Sequence, residues 1–399
     1  MESASRLLTQ TGPAVLLLKA ILLSLTGIFL LMAFIVVRRW RRGRYFQRMN
    51  ERTYAIRAQW DGILSGRIPA KHWRLKPLDC SIVEAILLDS IETATDEQLP
   101  ALLTRLRDSG LLHMRIFEAR KLRGWKRCTA LVALGRTRAP EAIPALAEAL
   151  DSTSQDTRIA AVRGLGRTGL IKAAPPLLDR YVTAQLQVPE HVLKNALAAC
   201  CRSNPSILLS YLSQAHGAIR QLLARVLGEL AGPDLVDELL VLTADPLPEV
   251  RASAARALGN AKSPVALAAL AALVSDAVWF VRLRAVVALG SSEHPGRIQP
   301  LLHGLCDPNR NVRQRAAWAL AREPDLGAIL EQVVASKDKY AVQTFVSELE
   351  RSGVEDKVIQ ALAQHSQDAS GELLLNALSN SKKVLEKIAM ASSASAGGR

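Results

Sequence analysis

The sequence predicts an all-α chain: a right-handed α-solenoid of two-helix repeats about 31 residues long, behind one N-terminal transmembrane helix. Three observations carry this. An uncharged apolar run, AILLSLTGIFLLMAFIVV, fills residues 20–37. A ten-residue pattern closing in Leu-Gly, or Leu-Ala in its last copy, recurs from residue 126 onward. The 49% of hydrophobic residues are mostly Ala, Leu and Val, with only 4% aromatic, which suits close-packed helices better than a sheet core.

The apolar run comes first along the chain. Eighteen helical residues at about 1.5 Å each reach about 27 Å, enough for a bilayer core. Pro13 to Leu18 lengthen the run, and Lys19 sits close enough to its end to snorkel, so the transmembrane helix is placed at 13–37. A soluble core helix rarely goes so long without charge. A cleaved signal peptide fits poorly, since the apolar core is long and no small-x-small site precedes the arginines.

The net charge of +14 is concentrated next to this run. Between Arg38 and Lys76 there are twelve Arg or Lys against Glu51 and Asp61, leaving only +4 for the rest of the chain. Arg38, Arg39, Trp40, Arg41, Arg42 and Arg44 are the candidate membrane-surface residues. Their first expected role is a stop-transfer and topology signal, with attraction to anionic lipids of about 1 kcal/mol per basic residue as the second. By the positive-inside rule, residues 1–12 form a short extracytoplasmic N-terminus and everything after Arg38 is cytoplasmic. The expected location is a plasma (inner) membrane, crossed once, in a bacterium.

Six segments then share one shape: 126–135, 157–166, 219–228, 250–259, 281–290 and 312–321. Their arginines, Arg127, Arg158, Arg220, Arg251, Arg282 and Arg313, are spaced by 31, 62, 31, 31 and 31 residues. The 62 spans two periods, and the intervening unit LKNALAACCR offers Lys194 five residues late. Each unit divides into a first helix after a Pro or Gly break, as at 140–150 and 264–274, a turn carrying Asp, and a second helix beginning near the Arg. Ala and Leu at i, i+3, i+4 and i+7 give the second helix one apolar stripe, which two helices alone cannot bury. Gly135, Gly166, Gly228, Gly259 and Gly290 are expected to end these helices with positive φ.

The stretch Asp-Pro-x-x-x-Val-Arg-x-x-Ala-Ala-x-Ala-Leu-Gly, nearly whole at 245–259 and 307–321, resembles the HEAT repeat family in its short bacterial, PBS-lyase-like form. The resemblance covers about 120 to 355. It implies that turn aspartates and helix arginines, here Asp245/Arg251, Asp276/Arg282 and Asp307/Arg313, form a ladder of hydrogen bonds between units, which makes these arginines structural. It implies no single function, because the family holds scaffolds, chromophore-attachment proteins and a few enzymes.

The expected organisation is a basic juxtamembrane connector at 38–78, a helical N-terminal cap at 79–124, the repeat array at 125–353, degenerate capping helices at 354–390 and a disordered tail at 391–399. The five cysteines are odd in number, scattered and without a CxxC, so they read as reduced thiols. None of the seven histidines stands four residues from another or directly before a Glu, the dyad that HEAT-repeat hydroxylases use for iron. No phosphate loop or nucleophile elbow occurs. The reading is therefore of no enzyme, no catalytic residue, no cofactor and no metal.

What remains is a surface of second helices offered to protein partners, with Arg256, Arg284, Arg315 and Trp318 as candidate contacts. The expected function is a membrane-anchored scaffold or adaptor, with no nucleic acid and no small-molecule substrate, the lipid contacts being made by the transmembrane helix and its basic flank. Other readings are a regulatory subunit of a membrane enzyme complex such as a glycosyltransferase, a bilin-lyase-like protein, or a nucleic-acid-binding HEAT protein.

Overall fold

The computed structural model describes residues 2–65, 67, 77–183, 185–261 and 263–353, and all regular structure among them is helical. The expected capping helices at 354–390 and the tail at 391–399 lie outside the described residues. The chain divides into two compact units, residues 1–118 and 119–399.

In the first unit, α1 (Glu2–Ala58) is one 57-residue helix carrying both the apolar run and its basic flank. Every side chain from Leu17 to Val37 is exposed, with Leu23 at 76% and Phe29 at 72%. By length and composition the helix is long and apolar enough to cross a membrane. The end of α1 is different: Ile56 is buried, and Arg52 forks onto Asp79, with Nε to Oδ1 at 3.0 Å. Short helices follow: α2 (Trp60–Leu64), α3 (Pro77–Thr93), α4 (Leu99–Asp108) and α5 (Leu111–Lys121). Ile63, Ile82, Leu87, Ile91, Leu106 and Leu112 bury themselves between them. Arg115 on α5 holds Glu84 on α3 through both carboxylate oxygens, and Arg105 Nε donates to Leu64 O at 3.1 Å.

The second unit is the repeat array. Its second helices are α6 (Gly124–Arg136), α8 (Gln155–Thr168), α10 (Glu190–Cys200), α12 (Gly217–Leu230), α14 (Pro248–Leu258), α16 (Trp279–Ser291), α18 (Arg310–Leu320) and α20 (Lys339–Arg351). Each packs directly on the next. Between them stand the shorter first helices α7 (Ile143–Glu148), α9 (Ala174–Val182), α11 (Ile207–Gln214), α13 (Val236–Leu242), α15 (Pro264–Leu273), α17 (Ile298–Leu305) and α19 (Leu326–Ala335). Proline at the start of several supplies the φ a first turn needs and ends what precedes it.

The core is built by rows of period 31. Leu134, Leu165, Ala196, Leu227, Leu258, Leu289 and Leu320 form one, and Leu131, Val162, Leu193, Ala224, Ala255, Val286 and Ala317 another; all are buried. Each large side chain contributes about 1.5–3 kcal/mol by leaving water, but only because the neighbouring unit covers it.

The glycines correct one expectation. Positive φ occurs at Gly110, Gly124, Gly169, Gly217 and Gly353, and not at the glycines that close the repeated pattern. Gly135, Gly166, Gly228, Gly259 and Gly290 stand instead where successive second helices approach most closely. A Cβ on Gly135 would lie 2.6 Å from Gly164 Cα, one on Gly166 2.6 Å from Ala196 Cα, and one on Gly228 2.7 Å from Ser253 O. At Gly135, Gly166 and Gly228 backbone stands where a side chain would be; at Gly259 and Gly290 it is the Cβ of Ala288, at 2.8 Å, and of Ala319, at 3.0 Å.

Candidate docking groove on the second helices

A ladder of ion pairs fixes the edge where turns meet second helices. Arg251 donates from Nε and Nη2 to the two oxygens of Asp276, at 2.7 and 2.9 Å. Arg282 does the same to Asp307, at 2.6 and 3.0 Å, and Arg220 reaches Asp245 Oδ2 from Nε at 3.0 Å. The third nitrogen turns back on its own unit: Arg251 Nη1 donates to Asp245 O at 2.9 Å and Arg282 Nη1 to Asp276 O at 2.8 Å. The pairing implied by the family resemblance is thus shifted by one unit. An arginine grips the carboxylate of the following turn, and meets the aspartate of its own turn only through the backbone.

Each aspartate also accepts the N–H two residues on, Leu247 at 2.9 Å, Val278 at 2.8 Å and Asn309 at 2.7 Å, so one carboxylate closes a turn and ties two units. Burial pushes the Asp276 carboxyl up, while hydrogen bonds from Arg251 and from the Val278 N–H pull it down, and the balance lies below the usual value.

Arg313 is the last member of the series. Arg127 and Arg158 direct Nε to the carbonyls of Ala119 and Gln187, and Arg313 differs from these and from Arg220, Arg251 and Arg282 in the state of its Nε. Its Nη1 is placed as before, donating to Asp307 O at 2.8 Å and Pro308 O at 3.0 Å. The period puts Asp338 where the next carboxylate belongs, and its Oδ1 accepts from Tyr340 N at 2.8 Å, as its counterparts accept the N–H two residues on, and from Ala341 N at 3.1 Å. No carboxylate among the described residues pairs with Arg313, and its buried Nε has no hydrogen-bond partner. Its guanidinium instead lies 5.4 Å from the centre of the Tyr340 ring.

Five residues after the ladder position runs an outward row, also of period 31: Arg163, Lys194, Arg225, Arg256, Val287 and Trp318. Lys194 therefore belongs to this row, and the ladder position of its unit is Pro189, which caps α10. Acidic residues neutralise the middle of the row. Arg225 pairs with Glu190 at 2.5 Å, and Glu229 on α12 binds Lys194 on one side at 2.6 Å and Arg256 on the other at 3.1 Å.

The four candidate contacts are therefore not equivalent. Arg256 is half-exposed and already paired; Arg284 and Arg315 are exposed and form no ion pair among the described residues. Trp318 is half-buried, with the Arg322 guanidinium 3.6 Å from its ring centre. The structure brings Arg315 and Trp318 together in one groove of about 730 Å³ between α18 and α20, and leaves Arg256 and Arg284 off its walls. Arg310, Arg313, Tyr340 and Arg351 also line it, as do Gln314 and Gln343. Glu348 is the acidic residue in the wall, and it is held by Arg351, Nε to Oε2 at 2.9 Å. Sequence reading missed Arg310, Arg313 and Tyr340 as groove residues. The available signal was the absence of an arginine 31 residues after Arg313, marking the end of the ladder.

On α1, Arg38, Arg39, Trp40, Arg41, Arg42 and Arg44 are all exposed. The Arg44 guanidinium lies 4.1 Å from the Trp40 ring centre and that of Arg42 5.7 Å from Phe46, arrangements in which each aromatic ring carries a cation at its face. Among the described residues, His113, His191, His216, His294 and His303 are exposed, and no group of three His, Cys, Asp or Glu side chains is close enough to hold a metal. Cys200 and Cys201 are buried, and that burial pushes their thiols up to about 12.

A profile of HEAT repeats matches residues 120–198, 205–290 and 270–350. No curated protein matches the sequence. Among solved structures, human deoxyhypusine hydroxylase in complex with glycerol is similar at 21% identity, over 62% of this chain and 96% of that one, with a TM-score of 0.26. The complex of CpcE and CpcF of phycocyanin lyase from Nostoc is similar at 18% identity, over 67% and 93%, with a TM-score of 0.24. Kap121p bound to RanGTP is similar at 13% identity, over 83% and 46%, with a TM-score of 0.37.

Proposed function

The chain belongs to the HEAT repeat family, and from that membership we propose that it is a membrane-anchored scaffold whose second helices dock protein partners at the cytoplasmic face of a plasma membrane. The observation that carries this is the exposed apolar length of α1, followed at once by Arg38, Arg39, Arg41, Arg42 and Arg44. Lipid covers that surface, and the arginines hold the following segment at the headgroups. The repeat array supplies a face of second helices, and in this reading the protein works by contact and catalyses nothing. Arg256, Arg284, Arg315 and Trp318 are the proposed contacts, with the pair in the groove the stronger two.

Two measurements test this on the full chain. Alkaline carbonate should leave the protein in the membrane pellet with α1 intact by mass spectrometry, and release to the supernatant or loss of residues 1–37 sinks the anchor. Cross-linking in native membranes, read by mass spectrometry, should place partner cross-links on second helices; cross-links confined to first helices sink the docking face.

A further inference from the structure

The end of the ladder is where charge is left over. Arg220, Arg251 and Arg282 each have their carboxylate, Arg127 and Arg158 direct Nε to a backbone carbonyl, and the outward row has Glu190 and Glu229. Around α18 neither holds. Arg313 repeats the placement of Arg251 and Arg282, down to Nη1 on the carbonyl of its own turn, yet the Nε edge that in those residues grips an aspartate has no carboxylate. Arg310 and Arg315 line the same groove and form no ion pair among the described residues, while the single acid in its wall is already bound to Arg351. A buried guanidinium nitrogen without an acceptor is costly, and the molecule itself displays the group that satisfies it.

We infer that the groove between α18 and α20 binds an acidic peptide segment of the partner, one Asp or Glu carboxylate pairing with the Arg313 guanidinium in the groove wall as Asp276 and Asp307 pair with Arg251 and Arg282. Arg310 and Arg315 meet flanking acids, and Trp318 and Tyr340 give the peptide's apolar side chains a surface. The preceding rungs hold carboxylates in this fork, so a carboxylate is the occupant argued for, and a nucleic-acid phosphate is an outcome of the test. The inference rests on the docking face proposed above.

The test uses the full chain in detergent micelles and three fluorescein-labelled probes followed by anisotropy. They are a peptide of Asp and Glu with interspersed Leu and Phe, its Asn and Gln counterpart, and single-stranded oligo-dT. The acidic peptide should bind about tenfold or more tightly than its amide counterpart, less so as salt rises. Arg313→Gln and the exposed Arg315→Gln should each weaken it about tenfold, while Arg225→Gln, remote from the groove, leaves it unchanged and circular dichroism shows all three folded. Asp338→Asn, which keeps a helix cap, should change affinity less than about twofold. Equal binding of the amide peptide overturns the inference, as does tighter binding of oligo-dT or a loss in Arg225→Gln equal to that in Arg315→Gln. A tenfold gain in Asp338→Asn overturns it too, by showing that Asp338 fills the Arg313 edge. Partner cross-links on other second helices in membranes, with no acidic-peptide binding here, would defeat this inference alone and leave the scaffold standing.

Discussion

Asp276 has two jobs for one carboxylate: it closes the turn into α16 through Val278 N and receives Arg251 from the preceding unit. Its side chain is 8% exposed and that of Arg251 16%, so removing the acid leaves a guanidinium edge facing a poorly hydrated turn. Asp276→Ala should lower stability by about 2–3 kcal/mol, read as the urea midpoint by circular dichroism. The pH dependence has a definite sign. Because the folded carboxyl titrates below its unfolded value of 3.8, its contribution is complete above that value and is lost as pH falls through the lower folded one. The gap between wild type and Asp276→Ala should therefore be constant from neutrality to about pH 5 and shrink below pH 4. A gap that shrinks between pH 5 and 7 would assign the effect to some other group. The sequence showed that the Asp and Arg were both needed at period 31. The one-unit offset was not legible, because it depends on how far an arginine reaches between stacked turns and on no local spacing.

At the scale of the helix, Gly228 separates two accounts of the repeated glycines. If it served only to end α12, Ala would be tolerated and would gain up to about 1 kcal/mol of helix propensity. A Cβ there meets Ser253 O at 2.7 Å and Ser253 Cβ at 3.2 Å, both on the next second helix, so α12 and α14 must move apart. Overpacking of this kind costs about 1–3 kcal/mol, which outweighs the gain. Gly228→Ala should thus lower the thermal midpoint, and a raised midpoint would return the glycine to the role first expected of it. The two-helix unit, the period and the Ala-Leu stripe were all legible, since they are properties of one helix. Interhelical distance belongs to a pair of helices, so the motif revealed that glycine was required and not why. The same limit hid the groove: Trp318 and Arg315 could be singled out from α18, but Tyr340 joins them only once α20 has packed.

For the whole molecule, the consequence of α1 is topology. Five arginines follow Val37 within seven residues, with Arg48, Arg52 and Arg57 behind them, against Arg6 and Lys19 on the other flank. Positive charge near the ends of a membrane helix decides which end stays in the cytoplasm, and the proposed topology, with the array on the cytoplasmic side, rests on this count. Changing Arg38, Arg39, Arg41, Arg42 and Arg44 to Gln leaves three arginines against two basic residues, and the bias nearly vanishes. Cys306 is exposed on the repeat array and reports which side that array occupies. In intact bacterial host cells a membrane-impermeant maleimide should leave Cys306 of the wild type unmodified and modify part of the fivefold variant, with mass spectrometry of the Cys306 peptide as the readout. Wild-type labelling from outside would put the array, and the groove with its open arginine, in the wrong compartment for a cytoplasmic partner. A variant as fully protected as the wild type would show that Arg48, Arg52 and Arg57 suffice, and would free the first five arginines for lipid or partner contact alone.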